Sequence, residues 1–325
     1  MKILVTGATG FLGGALIRTL ASKHDVIALG RNAARCDHLR NDNFHVLQVD
    51  LSQPGTLPDA GQIGPVDAII HCAALSAPWG PAQAFEDANL HGTLTALELA
   101  ERLEVSRFVH ISSPTVTFEL KDQIRVREDH PLPHPINDYA RTKALAEKEV
   151  LARPELGPVI LRPRGIYGSG DEALLPRLLR AATKGPLPLI RGGAAAIDLT
   201  HISDVIRAIE AALTGDHIIE GEVFHISGGE VIPIKDIVER CCQRCDVPLR
   251  WRPLPFTPAL IATRMMEWAS YRWPIRQEPS ITAYTLGLFS FRQSLDISKA
   301  ERLLDWRPQV PFDVGFNEAT QGWPQ

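Results

Sequence analysis

The chain has 325 residues, enough to bury a large core as one α/β domain or as a main domain with a smaller lobe. It is 45% hydrophobic and 22% charged with a formal net charge of −4, a balance that argues against nucleic acid as the main partner. The opening MKILVTGATG does not suit a cleavable signal, and no uninterrupted apolar run is long enough to span a bilayer, so a cytoplasmic protein without stable membrane insertion is expected.

The first half alternates strand and helix. KILVT (2–6) predicts a first strand, followed by glycines and a helix over 14–23. Strands follow at 25–29, 44–50 and 66–74, and then a long periodic helix over 81–103. RFVHISS (107–113) predicts a fifth strand, residues 139–151 a helix, and PVILRP (158–163) a sixth strand. Val- and Ile-rich strands separated by helices predict βαβ units and a doubly wound parallel sheet of the Rossmann type. After Gly165 the pattern loosens, and Pro176, Pro186, Pro188, Pro233, Pro253, Pro255 and Pro258 punctuate short helices and isolated strands such as EVFHIS. The expected organisation is a dinucleotide-binding domain over 1–165 and a mainly substrate-binding lobe over 166–325, partly interleaved with the sheet.

The five cysteines are odd in number and unevenly spaced, which predicts reduced thiols and not a disulfide framework. Cys241, Cys242 and Cys245 cluster without a second ligand group, whereas structural zinc takes four ligands, so they are expected to be half-buried helix cysteines with no metal.

Residues 6–13, TGATGFLG, sit between a strand and a helix, the context a dinucleotide site requires. Gly7 permits the tight turn, Gly10 lets the backbone approach a pyrophosphate, and Gly13 allows close helix packing. Thr9, Phe11 and Leu12 complete the expected cofactor contacts, with the helix N-terminus supplying N–H groups. An NAD site usually carries an acid at the end of the second strand. Here Arg31 and Asn32 stand there, with Arg35 one turn on. A guanidinium favours a 2′-phosphate, so NADPH is expected over NADH. Asp50, followed by Leu51, either meets the adenine edge or caps the third strand.

In NDYARTKALAE, Tyr139 and Lys143 are four apart and share one helix face. TGATGFLG and YARTK together resemble the extended short-chain dehydrogenase/reductase superfamily. So do HCAA (71–74), NLHGT (89–93), LRPRGIYGSGD (161–171), IDLTHISD (197–204) and LDISKAERLLDWRP (295–308), in family order. The resemblance implies that Tyr139 is the acid/base and that Lys143 lowers its pKa and holds the nicotinamide ribose. It further implies that Ser113 fixes the carbonyl, that Asn89 braces the sheet, that Ala73 and Ala74 contact the cofactor, and that Pro163 begins the turn walling the nicotinamide. Ser112 either shares the work of Ser113 or caps the strand end. Members often dimerise through the helix after the fourth strand and the tyrosine-bearing helix, so a homodimer is one expectation.

Departures from the superfamily's sugar-nucleotide enzymes narrow the expectation. Their diphosphate-gripping arginine is Ile197 here, Arg164 stands where an asparagine is common, and Pro114-Thr115 replaces the acid pair a dehydratase needs. Trp79, PTVTF and LRPRGIYGSGDEALLPRLLR resemble the 3β-hydroxysteroid dehydrogenase-like branch, and within it the bacterial 2-alkyl-3-oxoalkanoate reductases. The resemblance implies a small apolar ketone or alcohol as substrate. The alternatives are a nucleotide-sugar epimerase or dehydratase with tightly bound NAD, and a non-catalytic NADP-binding sensor, which the retained Tyr139 and Lys143 oppose. Phe256, Leu260, Ile261, Met265, Met266, Trp268, Tyr271 and Trp273, interrupted by Arg264 and Arg272, form a substrate pocket wall, a packed helix face or a membrane contact.

Overall fold

A computed structural model describes residues 1–323 apart from Pro54, Thr56 and residues 273–277, so the expected contribution of Trp273 lies outside the described residues. Seven strands form the main sheet: β1 (Lys2–Thr6), β2 (Asp25–Gly30), β3 (His45–Gln48), β4 (Ala68–His71), β5 (Arg107–Ile111), β6 (Pro158–Pro163) and β7 (Glu222–Ile226). All run parallel, in the order β7-β6-β5-β4-β1-β2-β3. Every residue of β4, β5 and β6 is buried, as parallel strands covered on both faces require.

Side chains alternate along β1 and so feed two separate cores. Ile3 and Val5 pack with Leu16 and Ile17 of α1 (Phe11–Leu20) and with Val205 and Ile209 of the helix Ile202–Thr214. Leu4, between them, packs on the other face with Leu97 of α2 (Gly92–Arg102) and Val150 of α3 (Asp138–Leu151). The architecture is a doubly wound Rossmann-type α/β fold. Strand order reverses between β1 and β4, which opens a crevice at their C-terminal ends.

Two helices differ from the sequence expectation. The first begins at Phe11, three residues before 14, because Gly10 takes the extended conformation of an N-cap (φ −91°, ψ 177°). The long helix over 81–103 is interrupted by a π-helical turn, Glu86–His91, which carries the buried Asn89.

A second sheet lies in the C-terminal lobe. Its order is Val231–Pro233, Ala196–Asp198, Arg292–Leu295 and Gln123–Val126, so a segment from before β6 completes the lobe's sheet while β7 completes the main one. The helix α4 (Phe256–Arg272) buries only Thr263; Ile261, Met265, Met266 and Trp268 are exposed, while Phe256 packs edge-on to Phe291. Cys241 and Cys242 are buried and Cys245 is half-buried; all are free thiols, and no metal-ligand cluster occurs among the described residues.

Near the C-terminal end of β5, Glu147 and Arg162 form a buried bidentate pair, Nε to Oε1 at 2.8 Å and Nη2 to Oε2 at 2.6 Å. The hydroxyl of Ser112 also donates to Glu147, so Ser112 serves this inner network. Removing one member of a buried pair strands the other charge, at a cost of roughly 3–5 kcal/mol. Glu147→Ala is therefore expected to lower the unfolding free energy by about that amount in urea melts. A midpoint equal to wild type would show that the pair is not structural.

Candidate active site

The glycine loop is wound tightly enough to exclude side chains. Gly7 adopts φ +69°, and a Cβ built there would lie 2.7 Å from the Ala73 nitrogen. A Cβ on Gly13 would lie 2.3 Å from the Gly7 carbonyl oxygen. Thr6 ties the neighbouring strand ends together: its hydroxyl meets His71 Nδ1 at 2.8 Å and accepts from the Ala73 nitrogen at 3.2 Å. The N-cap of α1 is Gly10, which has no side chain to answer the first N–H groups of the helix, and such an N-terminus suits a phosphate.

The remaining expected cofactor residues gather around this crevice. Thr9 packs against Gly30, where a Cβ would come within 2.5 Å of its methyl group, and Phe11 and Leu12 are half-buried at the start of α1. Arg31 is exposed at the end of β2, and Asn32 caps the following helix by accepting from the Arg35 nitrogen at 2.9 Å. Arg35 reaches back to the Thr9 carbonyl at 3.1 Å. Asp50 accepts from the Ser52 backbone and hydroxyl at 3.1 and 2.7 Å, beside buried Leu51. Ala73 and Ala74 follow β4, and Pro163 is the buried last residue of β6. Asn89 bonds both backbone groups of Leu75 and the Thr142 hydroxyl, bracing the loop after β4 against α3. A dinucleotide fits these residues: the loop is cleared of side chains and the helix end is uncapped.

Asn137 caps α3 through the Ala140 nitrogen at 2.9 Å and so sets Tyr139 in the first turn. Tyr139 is half-buried, with its ring edge-on to Phe85 at 6.5 Å. The Ser113 and Ser76 hydroxyls stand near its phenol and act to lower its pKa. Ser113 continues to the Thr115 hydroxyl at 2.9 Å, and Thr115 to the Tyr284 hydroxyl at 3.4 Å. The result is a chain of hydroxyls, and no carboxylate is among the groups that move the Tyr139 pKa.

Lys143 points to the inner end of β5. It is 1% exposed and donates to the Ile111 carbonyl at 2.7 Å and to His110 Nε2 at 3.2 Å. Although Tyr139 and Lys143 share a helix face, the ammonium bonds groups at the end of β5. Burial raises the Tyr139 pKa, against the Ser113 and Ser76 hydroxyls. Burial also pulls Lys143 down to about 8, opposed chiefly by the Glu147 charge. Beneath it His110 stacks on His71 with ring centroids 5.4 Å apart. Burial, and then the Lys143 charge, hold His71 at about 3 and His110 well below the usual imidazole range, so both rings are neutral. His110 accepts from Lys143 at Nε2, which places its proton on Nδ1.

Sequence reasoning missed Ser76, His110 and Tyr284. Ser76 follows the strand-end alanines, a position that could have drawn attention to a hydroxyl. His110 lay inside an apolar strand that showed only its β pattern. Tyr284 comes from the helix Ala283–Leu288 in the other lobe, with no local signal.

At the start of α3 opens a cleft of about 320 Å³ lined by Trp79, Phe85, Asn137, Arg141, Arg264 and Tyr271, among others, with Tyr139 itself outside its lining. The Tyr271 hydroxyl donates to the Gly80 carbonyl at 3.2 Å and its ring lies 5.3 Å from Trp79, so α4 closes one side of the cleft against the dinucleotide-binding half. Elsewhere Ile197 is buried, and Arg164 is paired with Asp198 at 3.1 Å with both side chains almost fully enclosed.

Residues 3–227 match the NAD dependent epimerase/dehydratase family. The chain belongs to that family. Within this epimerase/dehydratase family it is 31% identical over 334 residues to the 2-alkyl-3-oxoalkanoate reductase of Stenotrophomonas maltophilia, covering 97% of each chain. It is 27% identical over 334 residues to a decarboxylating sterol-4-alpha-carboxylate 3-dehydrogenase of Schizosaccharomyces pombe, covering 99% of this chain and 97% of that one. Among solved structures it is similar to the UDP-glucuronic acid 4-epimerase of Bacillus cereus in complex with NAD. That likeness has a TM-score of 0.75 at 26% identity and covers 99% of this chain and 98% of the other. As an epimerase/dehydratase family member the chain is an NAD(P)-dependent enzyme of the extended short-chain dehydrogenase/reductase type.

Proposed function

We propose that the chain is an NADPH-dependent reductase, or in reverse an alcohol dehydrogenase, for an apolar ketone of the 2-alkyl-3-oxoalkanoate or 3-keto/3β-hydroxysteroid kind. The hydroxyl chain from Tyr139 through Ser113 and Thr115 to Tyr284 carries this reading, because it offers proton donors to a carbonyl oxygen and no carboxylate base. Bound NADPH supplies the hydride. Ser113 orients the carbonyl oxygen, and Tyr139 gives it a proton. Because burial raises the Tyr139 pKa, the phenol keeps its proton through the neutral range and loses it only in base. Reduction is therefore expected to hold level around neutrality and to fall on the alkaline side. Lys143 holds the ribose, the glycine loop faces the pyrophosphate, and Arg31 meets the 2′-phosphate.

The solved neighbours favour a second reading, a sugar-nucleotide epimerase with tightly bound NAD. Two observations weigh against it: Ile197 cannot grip a diphosphate, and the Arg164 charge is already matched by Asp198. NADPH and NADH oxidation over long-chain β-keto acids, 3-ketosteroids and aryl ketones tests both readings, with UDP-glucuronic acid as the contrasting substrate. Arg31→Glu is expected to reduce the NADPH-over-NADH ratio of kcat/KM roughly tenfold or more, since a carboxylate repels the 2′-phosphate and accepts from a 2′-hydroxyl. An unchanged ratio would remove Arg31 from the cofactor site. Epimerisation of UDP-glucuronic acid without net NADPH turnover would replace the reductase reading.

A further inference from the structure

The strand β5 buries an imidazole that the proposed chemistry does not use. Phe108, Val109 and Ile111 suit a strand covered on both faces, yet His110, between Val109 and Ile111, is 0% exposed. An imidazole placed there costs free energy unless its nitrogens find partners. Among the described residues Nδ1 has none. Nε2 has the Lys143 ammonium, at 3.2 Å.

The ring is clamped from the neighbouring strand. His71, its register partner on β4, stacks on it with centroids 5.4 Å apart. His71 is itself pinned through both nitrogens, to the Thr6 hydroxyl at 2.8 Å and the Thr93 hydroxyl at 3.1 Å. Thr6 also accepts from the Ala73 nitrogen, so the clamp reaches the edge of the cofactor crevice. An ammonium carries three N–H donors. The Ile111 carbonyl takes one, at 2.7 Å, and His110 takes a second. Two fixed bonds set the direction of the third.

We propose that His110 is a positioning residue for Lys143, which with the Ile111 carbonyl engages two of its N–H groups and so fixes the third for the ribose hydroxyls of the cofactor. The proposal rests on the reading that Lys143 holds the ribose, and not on the class of ketone. It requires a neutral ring, since an imidazolium has no acceptor. Of the other titratable groups around the ammonium, burial keeps His71 and Cys72 neutral, and Glu147 acts through its charge.

The test starts with the full wild-type chain. Nitrogen NMR of histidine-labelled protein is expected to show the His110 proton on Nδ1 and a bare Nε2. A proton on Nε2 would overturn the proposal, because that nitrogen could not then accept. Carbon NMR of labelled lysine side chains follows the titration of Lys143. His110→Phe keeps a ring against His71 and removes the acceptor. It is expected to move the Lys143 titration to lower pH, because the charged form loses a partner. It is also expected to weaken NADPH binding roughly tenfold in a fluorescence titration. His110→Gln, whose amide oxygen can stand in for Nε2, should return both toward wild type. A ring that merely filled the strand would shift the thermal melt and leave the Lys143 titration in place, which would overturn the proposal. NADPH affinity kept in His110→Phe but weakened in Lys143→Met would also overturn it, with Lys143 still at the ribose. Affinity kept in both variants would remove Lys143 from the ribose and the proposal with it. None of these readouts needs a ketone, so an error in the substrate class does not enter.

Discussion

Tyr139→Phe is expected to lower kcat/KM for ketone reduction roughly 10²–10⁴-fold, the ordinary contribution of a positioned general acid. The substitution keeps the ring beside Phe85 and removes only the phenol oxygen, which Ser113 and Ser76 face. NADPH affinity should therefore change far less than turnover, which fluorescence titration will show. The alkaline limb of the wild-type pH profile should vanish from the residual activity, because the phenol that produces it is gone. Wild-type turnover in the variant would sink the assignment of Tyr139 as proton donor.

Lys143→Met is expected to separate stability from function. Folding holds the Lys143 amine at about 8 where an exposed one titrates at 10.5, which costs roughly 3 kcal/mol at neutral pH. The sign follows from proton counting. Between about 8 and 10.5 the unfolded chain holds the proton that the folded chain has released, so stability rises with pH across that window. Below it the cost is present in full. Methionine removes the charge, and it also loses the bonds to the Ile111 carbonyl and His110, worth about 1 kcal/mol each. The variant should be inactive yet at least as stable as wild type by urea melts at neutral pH. That advantage should shrink as the buffer approaches about pH 10. A large loss of stability at neutral pH would mean that the ammonium is a net structural asset.

Much of the cofactor half was legible because its signals are local. Continuous apolar runs marked β4, β5 and β6, and the glycines of residues 6–13 sat in the strand–turn–helix context that gives them meaning. Tyr139 and Lys143 could be paired from spacing alone. What spacing does not carry is the direction of a long flexible side chain: Lys143 turned toward Ile111 because a buried carbonyl there needed a donor and two hydroxyls already stood near the phenol. Tyr284 was hidden because it arrives from a distant helix. The apolar residues of α4 were visible, but periodicity cannot tell an inward face from an outward one. The strand Gln123–Val126 is four residues long with its two central side chains exposed, too short and too mixed to announce the sheet it joins.

That short strand has a further consequence, for how the molecule is made. The chain enters the second sheet at residues 123–126, returns for β6, and comes back once more for β7 before the lobe is finished. Each sheet therefore waits for a strand that the ribosome supplies on the far side of the other. A nascent chain released after β6 would present that strand as an open hydrogen-bonding edge, with its neighbour still unsynthesised. Pairing across such sequence distances is slow to close, and the aggregation-prone interval ends only when nearly the whole polypeptide has emerged.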